Sequence, residues 1–308
     1  MEVIIVFGKP GRQVTARHHD AFSRSLTGLP VGSRLIAMNG AYSIRRAQLT
    51  LAEAENLLAA ERQSLGDSPY TPPGILAVMR RPEHYTYVAC LGGITVGFCS
   101  CFETPSDEGS RLEIDLLGVM PEYRGHGLAA RLIGCGVAEA RQRGACRFRG
   151  VVAAQNLASQ RAFQRAGLAP SPTPCAMLMY ILQGNSPVSF LPAGWEWHVD
   201  KIGSVLRYTL HAPTPASPSF SRRVALAECL EVYTLSYHGL WLETIWAASS
   251  EVEQVMARAI VEHAKIQDMD EVGYLAPQAY PGTETDHAAF IREGYQNAGS
   301  YLRFTRRT

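Results

Sequence analysis

The sequence predicts an α+β fold, a mixed and mostly antiparallel sheet flanked by helices, repeated later in the chain as a second, partial copy. Three observations carry this. An apolar run with two carboxylates, Leu112 to Val119, is closed by Pro121 and passes through Gly125-His126-Gly127 into Leu128, Leu132, Ile133 and Val137 at helical spacing, so a strand, a tight turn and an amphipathic helix follow one another. Strand and helix patterns alternate over residues 41–183. Finally, Phe290-Ile291-Arg292-Glu293-Gly294-Tyr295 echoes Phe163-Gln164-Arg165-Ala166-Gly167-Leu168, which is the mark of an internal repeat.

Taken in order, residues 1–40 lack a sustained period and read as an extension of unclear structure. Tyr42 to Gln48 suits a first strand. Thr50 with Glu53 is a capping box that opens a helix over Leu51 to Leu65. Pro69, Pro72, Pro73 and Gly74 read as a loop. Tyr85 to Leu91 and Ile94 to Glu103 form a hairpin around Gly92-Gly93. The strand Leu112 to Val119 and the helix to about Arg143 come next. They are followed by a strand at Arg147 to Ala153, a short helix at Leu157 to Ala166 and a closing strand at Ala176 to Leu182. Proline and serine cluster at Pro187 to Pro192 and at His211 to Pro218, so a linker is placed at residues 184–194. Residues 195–308 repeat a strand, strand, helix, strand order: Leu230 to Tyr237, Leu240 to Ala247, Glu251 to Lys265 and Val272 to Leu275, then Tyr301 to Phe304.

Bulk properties narrow the function. A chain of 308 residues, 46% hydrophobic and with a formal net charge of +1, has a large core and no global charge to attract nucleic acid. Neither a membrane-spanning apolar run nor a signal sequence is apparent, and a cytoplasmic protein is expected. The seven cysteines are odd in number and set mostly in apolar runs, as reduced core cysteines are, and no spacing suits a metal.

The turn suits an anion. Main-chain N–H groups at a helix start lack intrahelical partners, two glycines allow close backbone approach, and Arg124 adds a cation. The motif Glu122-Tyr123-Arg124-Gly125-His126-Gly127 resembles the phosphate cradle of the GNAT superfamily of acyl-CoA-dependent N-acyltransferases, Gln/Arg-x-x-Gly-x-Gly/Ala, with Glu122 departing at the first position. The stretch Asn156 to Leu168 resembles the family's second element, Asn-x-x-Ala/Ser-x-x-x-Tyr/Phe-x-x-x-Gly-Phe.

The resemblance implies a GNAT acetyltransferase domain over residues 41–183, using acetyl-CoA as acyl donor without a metal and acting on a small-molecule or peptide amine, with a homodimer as one arrangement. It implies that Leu117, Gly118, Val119, Arg124, Gly125, His126, Gly127, Leu128, Ala129, Asn156 and Phe163 form the cofactor site. Leu117 and Val119 would pair with pantetheine amides like an added strand, Asn156 would bond near the thioester, and Phe163, standing where the family often has a tyrosine acid, would pack on the CoA arm. An amine needs a base. Glu113 and Asp115, on one face of the strand, are the candidates, Glu113 ahead because it resembles the family's frequent carboxylate. His126, a loop residue between glycines, is not.

The second copy lacks the glycine cradle. Ser250 and Glu253 there form a capping box that claims the helix's own N–H groups, so residues 195–308 are expected to be a degenerate GNAT-like domain without acyl-CoA. The competing reading is a non-catalytic acyl-CoA sensor or structural pseudoenzyme, suggested by Glu122 and Phe163.

Overall fold

The computed structural model describes residues 42–66, 68, 70–182, 191–214, 217–235, 237–277 and 287–307. The extension expected at 1–40 and most of the expected linker lie outside these residues. The first half runs β1 (Ser43–Arg46), α1 (Leu51–Leu65), α2 (Pro72–Met79), β2 (His84–Leu91), β3 (Ile94–Ser106), β4 (Gly109–Val119), α3 (Leu128–Gln142), β5 (Arg147–Ala153), α4 (Leu157–Arg165), β6 (Ala169–Pro170) and β7 (Cys175–Ile181). The second runs β8 (Glu196–Ile202), β9 (Val205–Thr214), β10 (Ser217–Tyr233), β11 (His238–Ala247), α5 (Ser250–Ile266), β12 (Glu271–Pro277), α6 (Ala288–Arg292) and β13 (Gln296–Arg307).

Thr50 caps α1 as expected, its Oγ1 accepting the Glu53 N–H at 3.2 Å. The proline-rich stretch expected as a loop is instead α2. Thr71 caps it, and Pro72 and Pro73 occupy the first turn, where a missing N–H costs nothing because no intrahelical acceptor waits for it. The second half is also more complete than its sequence suggests. Every second residue of β8 and β9 (Trp197 and Val199, then Leu206, Tyr208 and Leu210) faces one core, and the serine and proline residues near Pro213 lie inside or beside long strands rather than at a boundary.

All strands join one sheet, in the order β1-β2-β3-β4-β5-β13-β7-β12-β11-β10-β9-β8, with β6 on the side of β13. Within each half four strands run antiparallel and a fifth joins parallel, β5 beside β4 and β12 beside β11. Between the halves the last strands change places. The expected closing strand β7 pairs with β12, and β13 fills the place beside β5, with Tyr301 opposite Ala153 and Phe304 opposite Gly150.

α3 and α4 cover one face of the first half, packing on Leu117 of β4 and Phe148 of β5, while α1 and α2 cover the other over Leu116, Phe98 and Val88. Among the described residues the second half has no counterpart of α1 and α2. Its β10–β11 hairpin leans into the first half instead, so that Leu230, Val232, Tyr237 and Trp241 share the core of β4 and β5, and Leu235 at the turn reaches the core beneath α1. The seam between β2–β3 and β9–β10 holds a cavity of about 390 Å³ walled by Arg81, His84, Phe102, Thr104, Lys201 and Tyr233.

Candidate active site

β4 carries a bulge. Cys101 pairs with Ile114 and Ser100 with Leu116, so Asp115 has no partner on β3. The extra residue shifts the alternation: Ile114 and Leu117 both face α3, and Asp115 is left on the α1 side. Parallel pairing with β5 ends at Ile114–Gly150, so beyond the bulge the two strands part. Met120 N–H bonds to the Val96 carbonyl on β3 at 2.9 Å. Main-chain groups alternate in direction along a strand, so Leu117 and Val119 present theirs to the gap, as the resemblance requires.

At the end of the gap the chain makes one turn of 3₁₀ helix at Pro121–Tyr123 and then reaches α3 through Gly125 (φ 83°) and Gly127 (φ 72°). A Cβ at either glycine would meet no protein atom within 4 Å; their reason is the left-handed backbone, which leaves the loop open on one side. Thr50, Thr71, Asn156 and Ser249 cap α1, α2, α4 and α5, whereas Gly127 gives α3 no side-chain cap. Its first N–H groups, on Leu128 and Ala129, thus stand where a phosphate would bond.

Several of the expected cofactor residues have close neighbours within the protein. Arg124 turns inward: its Nε donates to the Val119 carbonyl at 3.0 Å and its Nη2 to the Ser64 carbonyl at 3.2 Å, so it pins α1 to the strand end rather than pointing at a ligand, and it occupies one gap-facing acceptor. Gly118 is glycine because α1 comes so close; a Cβ there would lie 2.4 Å from Ser64 Oγ and 2.7 Å from the Phe98 ring. Asn156 caps α4, its Oδ1 accepting the Ser159 N–H at 3.1 Å. Phe163 is fully buried between Gly150 and Phe304, 5.4 Å from the latter's ring, and fills the core under the sheet instead of lining the gap. His126 lies beside Tyr42 at the surface, its Nδ1 3.2 Å from the Tyr123 carbonyl.

The two carboxylates of β4 have opposite surroundings. Glu113 is bound on all sides. Arg111 Nε and Thr104 Oγ1 donate to its Oε1 at 2.5 and 3.0 Å, and Arg149 Nε donates to its Oε2 at 2.8 Å. Arg149 then spans to Glu243 of β11 through Nη1 and Nη2 at 3.1 and 2.7 Å. Despite its burial, Glu243 is held down to about 2 by the two guanidiniums. Asp115 is fully buried and neither oxygen has a partner in hydrogen-bonding geometry. Burial pushes its carboxyl well above the usual range, the nearby Leu235 main chain offsets this only in part, and the charges that act on it most, those of Glu61, Glu271 and Glu113, push the same way.

Three groups near Asp115 escape sequence reading. Glu61 of α1 is 6% exposed and its carboxyl is raised by burial to about 7. Tyr237 accepts the Trp241 indole N–H at 3.1 Å and is also raised by burial. Glu271 begins β12. A carboxylate on the buried stripe of α1, between Leu57 and Ser64, was the available signal for Glu61; the other two come from the second half and meet Asp115 only through the fold.

β11 repeats the β4 geometry. Cys229 pairs with Leu242 and Glu228 with Thr244, so Glu243 is its bulge residue, and pairing with β12 ends at Leu242–Tyr274. The next turn differs. Ser249, not Ser250, caps α5: its Oγ accepts the Val252 N–H at 3.3 Å and donates to Glu251 at 2.9 Å, and Glu251 and Glu253 fill the first turn.

Residues 51–168 match the model of the acetyltransferase (GNAT) family, and no curated protein matches the sequence. Among solved structures, a GCN5-related N-acetyltransferase from Sphaerobacter thermophilus superposes over 86% of this chain and 95% of its own, with a TM-score of 0.56 at 12% identity. A tandem GNAT protein from the clavulanic acid biosynthesis pathway does so over 87% and 98%, with a TM-score of 0.50 at 12% identity. A GCN5-related glucosamine N-acetyltransferase region of a fungal multi-domain β-N-acetylglucosaminidase covers 87% of this chain, which spans 38% of that one, with a TM-score of 0.55 at 15% identity. These likenesses are likenesses of fold. The stretch that matches the GNAT family model, residues 51–168, contains the glycine turn, the uncapped α3 and the point where β4 and β5 part.

Proposed function

We propose that the chain is an acetyl-CoA-dependent N-acetyltransferase that moves an acetyl group to an amine by direct attack on the thioester. One observation carries the reading: α3, with no side-chain cap, opens through two left-handed glycines at the end of the gap between β4 and β5. The residues present fit acetyl-CoA. The N–H groups of Leu128 and Ala129, with those of the turn at Gly125, His126 and Gly127, would hold its pyrophosphate, and the Leu117 main chain would hold the pantetheine arm. Bound there, acetyl-CoA supplies an activated acyl carbon.

The protein's part is to position the amine and manage its protons. A lysine-like amine costs about 4 kcal/mol to deprotonate at neutral pH. Of the two β4 carboxyls, Asp115 has oxygens open to a proton, while Glu113 is committed to Arg111 and Arg149. Asp115 is therefore assigned to proton handling and Glu113 to fixing the strands around it. The acceptor is a small-molecule or peptide amine. No helix among the described residues is long and apolar enough to cross a membrane, and cysteines that are mostly buried in the core suit a reducing cytoplasm.

An acyl-CoA sensor without transfer is the second reading, favoured by Phe163 in the core and Arg124 turned inward. Thiol release from acetyl-CoA with a panel of primary amines separates the two. Turnover that Asp115→Asn lowers by about a hundredfold, with unchanged acetyl-CoA affinity, supports the enzyme; binding without turnover supports the sensor.

A further inference from the structure

α1 is pinned to β4 just past the bulge. Its Ser64 fills the space above Gly118, and its Ser64 carbonyl takes a hydrogen bond from Arg124. Glu61 lies one turn earlier on the same buried stripe, and Asp115 lies three residues earlier on the same face of β4, so the two carboxyls are brought together. The groups facing them come from every element around. Ser68, beyond α1, bonds Glu61, and the neighbouring Arg62 side chain is exposed. From the second half come the Leu235 main chain, Tyr237 and Glu271. Glu113, on the same strand, already has Arg111 and Arg149. The protein thus buries a pair of carboxyls at the place where β4 leaves β5, and the charges acting most strongly on Asp115 are all carboxyls.

We propose that Glu61 takes the proton of the acceptor's ammonium group while Asp115, beside it, protonates the departing thiolate, so that the acceptor is a cationic amine drawn to this pair. The inference rests on the acetyl-transfer reading. The proton balance closes. One ammonium proton passes to Glu61 and on to solvent; the amine nitrogen bonds the acyl carbon as the C–S bond breaks; Asp115 gives its proton to sulfur and receives the second proton from nitrogen. The products are one amide, one thiol and one released proton. Two neighbouring carboxyls in unlike surroundings, Glu61 bonded by Ser68 and Asp115 wholly enclosed, can serve as a base and an acid in one site. Glu61, raised to about 7, is poised to accept at neutral pH, and complete burial pushes the Asp115 carboxyl well above the usual range, toward its protonated form.

The test uses the full chain with acetyl-CoA and ethylamine as the acceptor probe. Wild-type kcat/KM for ethylamine should rise with pH through a limb near neutrality. Glu61→Gln should lose that limb and fall by about a hundredfold or more at unchanged acetyl-CoA affinity by calorimetry, and Glu61→Asp should recover part of it. A second readout needs no cofactor. Burial raises Glu61 from 4.5 to about 7, so the folded chain holds this proton more tightly than the unfolded one and the native state gains stability as pH falls from about 7 toward 4.5. Glu61→Gln should flatten the corresponding change in melting temperature. A Glu61→Gln variant that turns over with the wild-type limb, or that melts with wild-type pH dependence, overturns the inference alone. A wild type that binds acetyl-CoA yet releases no thiol at any pH overturns the transfer reading and the inference with it.

Discussion

Asp115 and Glu243 hold the same place in the two halves, each the unpaired residue of the bulge at which a strand parts from its parallel neighbour. Their surroundings are opposite. Glu243 is clasped by Arg149 and Arg111 and held low, whereas Asp115 is faced by carboxyls and pushed high. Arg149 reaches across from β5 and ties Glu243 to Glu113, so the second half's bulge carboxylate braces the first half's site.

That brace should show in stability. Glu243→Gln leaves Arg149 buried with half its compensation and should cost about 3–5 kcal/mol at pH 7. Glu243 is depressed from 4.5 to about 2, so its contribution is present above about 4.5 and fades as pH falls toward 2. Urea unfolding at pH 7 and at pH 3 should therefore show a large gap between wild type and variant at the first and a smaller one at the second. Equal gaps would mean that the effect is packing.

The cradle makes a sharper demand. Gly125→Asp brings an anion to the place proposed for the pyrophosphate and should abolish acetyl-CoA binding in calorimetry. Gly127→Ala, in open space but at φ 72°, should cost about 1 kcal/mol of stability from backbone strain. Undiminished affinity in folded Gly125→Asp would remove the cofactor assignment.

Only one acetyl-CoA should bind per chain. Ser249 caps α5, and Glu251 and Glu253 stand where a phosphate would have to approach. A calorimetric stoichiometry of two would show that the second half binds despite its capped helix.

Cutting the chain after Gln183 should not release a working first half. The cut removes β13, leaving the β5 edge unpaired, and strips β12 from β7. The fragment should aggregate or lack a cooperative melt. A monodisperse fragment that melts cooperatively and binds acetyl-CoA would show that β7 can take the place of β13.

Much of the first half was legible because local signals agreed. Thr50 capped the predicted helix, Arg147 to Ala153 became β5 residue for residue, and Gly125 and Gly127 took the left-handed turn their spacing suggested. What was not legible depended on contacts between distant parts of the chain. Two prolines that look like a loop start a helix once Thr71 caps it. The strand exchange leaves no local trace, since apolar β7 and the more polar β13 both read as strands and neither run names its partner. Phe163 reads as a ligand contact by its place in a motif, but Phe304, supplied by β13, encloses it. Tyr237 and Glu271 enter the neighbourhood of Asp115 only because the second half packs its β10–β11 hairpin into the first.

The exchanged strands also impose a timetable on synthesis. When β4, α3 and β5 have emerged from the ribosome, the strand that completes their sheet has not been made, since β5 must wait for residues 296–307. Until then β5 presents an open edge and β7 has no β12 to join, a state prone to pairing with other nascent chains. Closure over so long a span is slow. The cofactor cradle, built from nearby residues, forms early, but the wall behind it is set only at the last step, so the rate at which new chains become competent should be limited by the arrival and docking of β13.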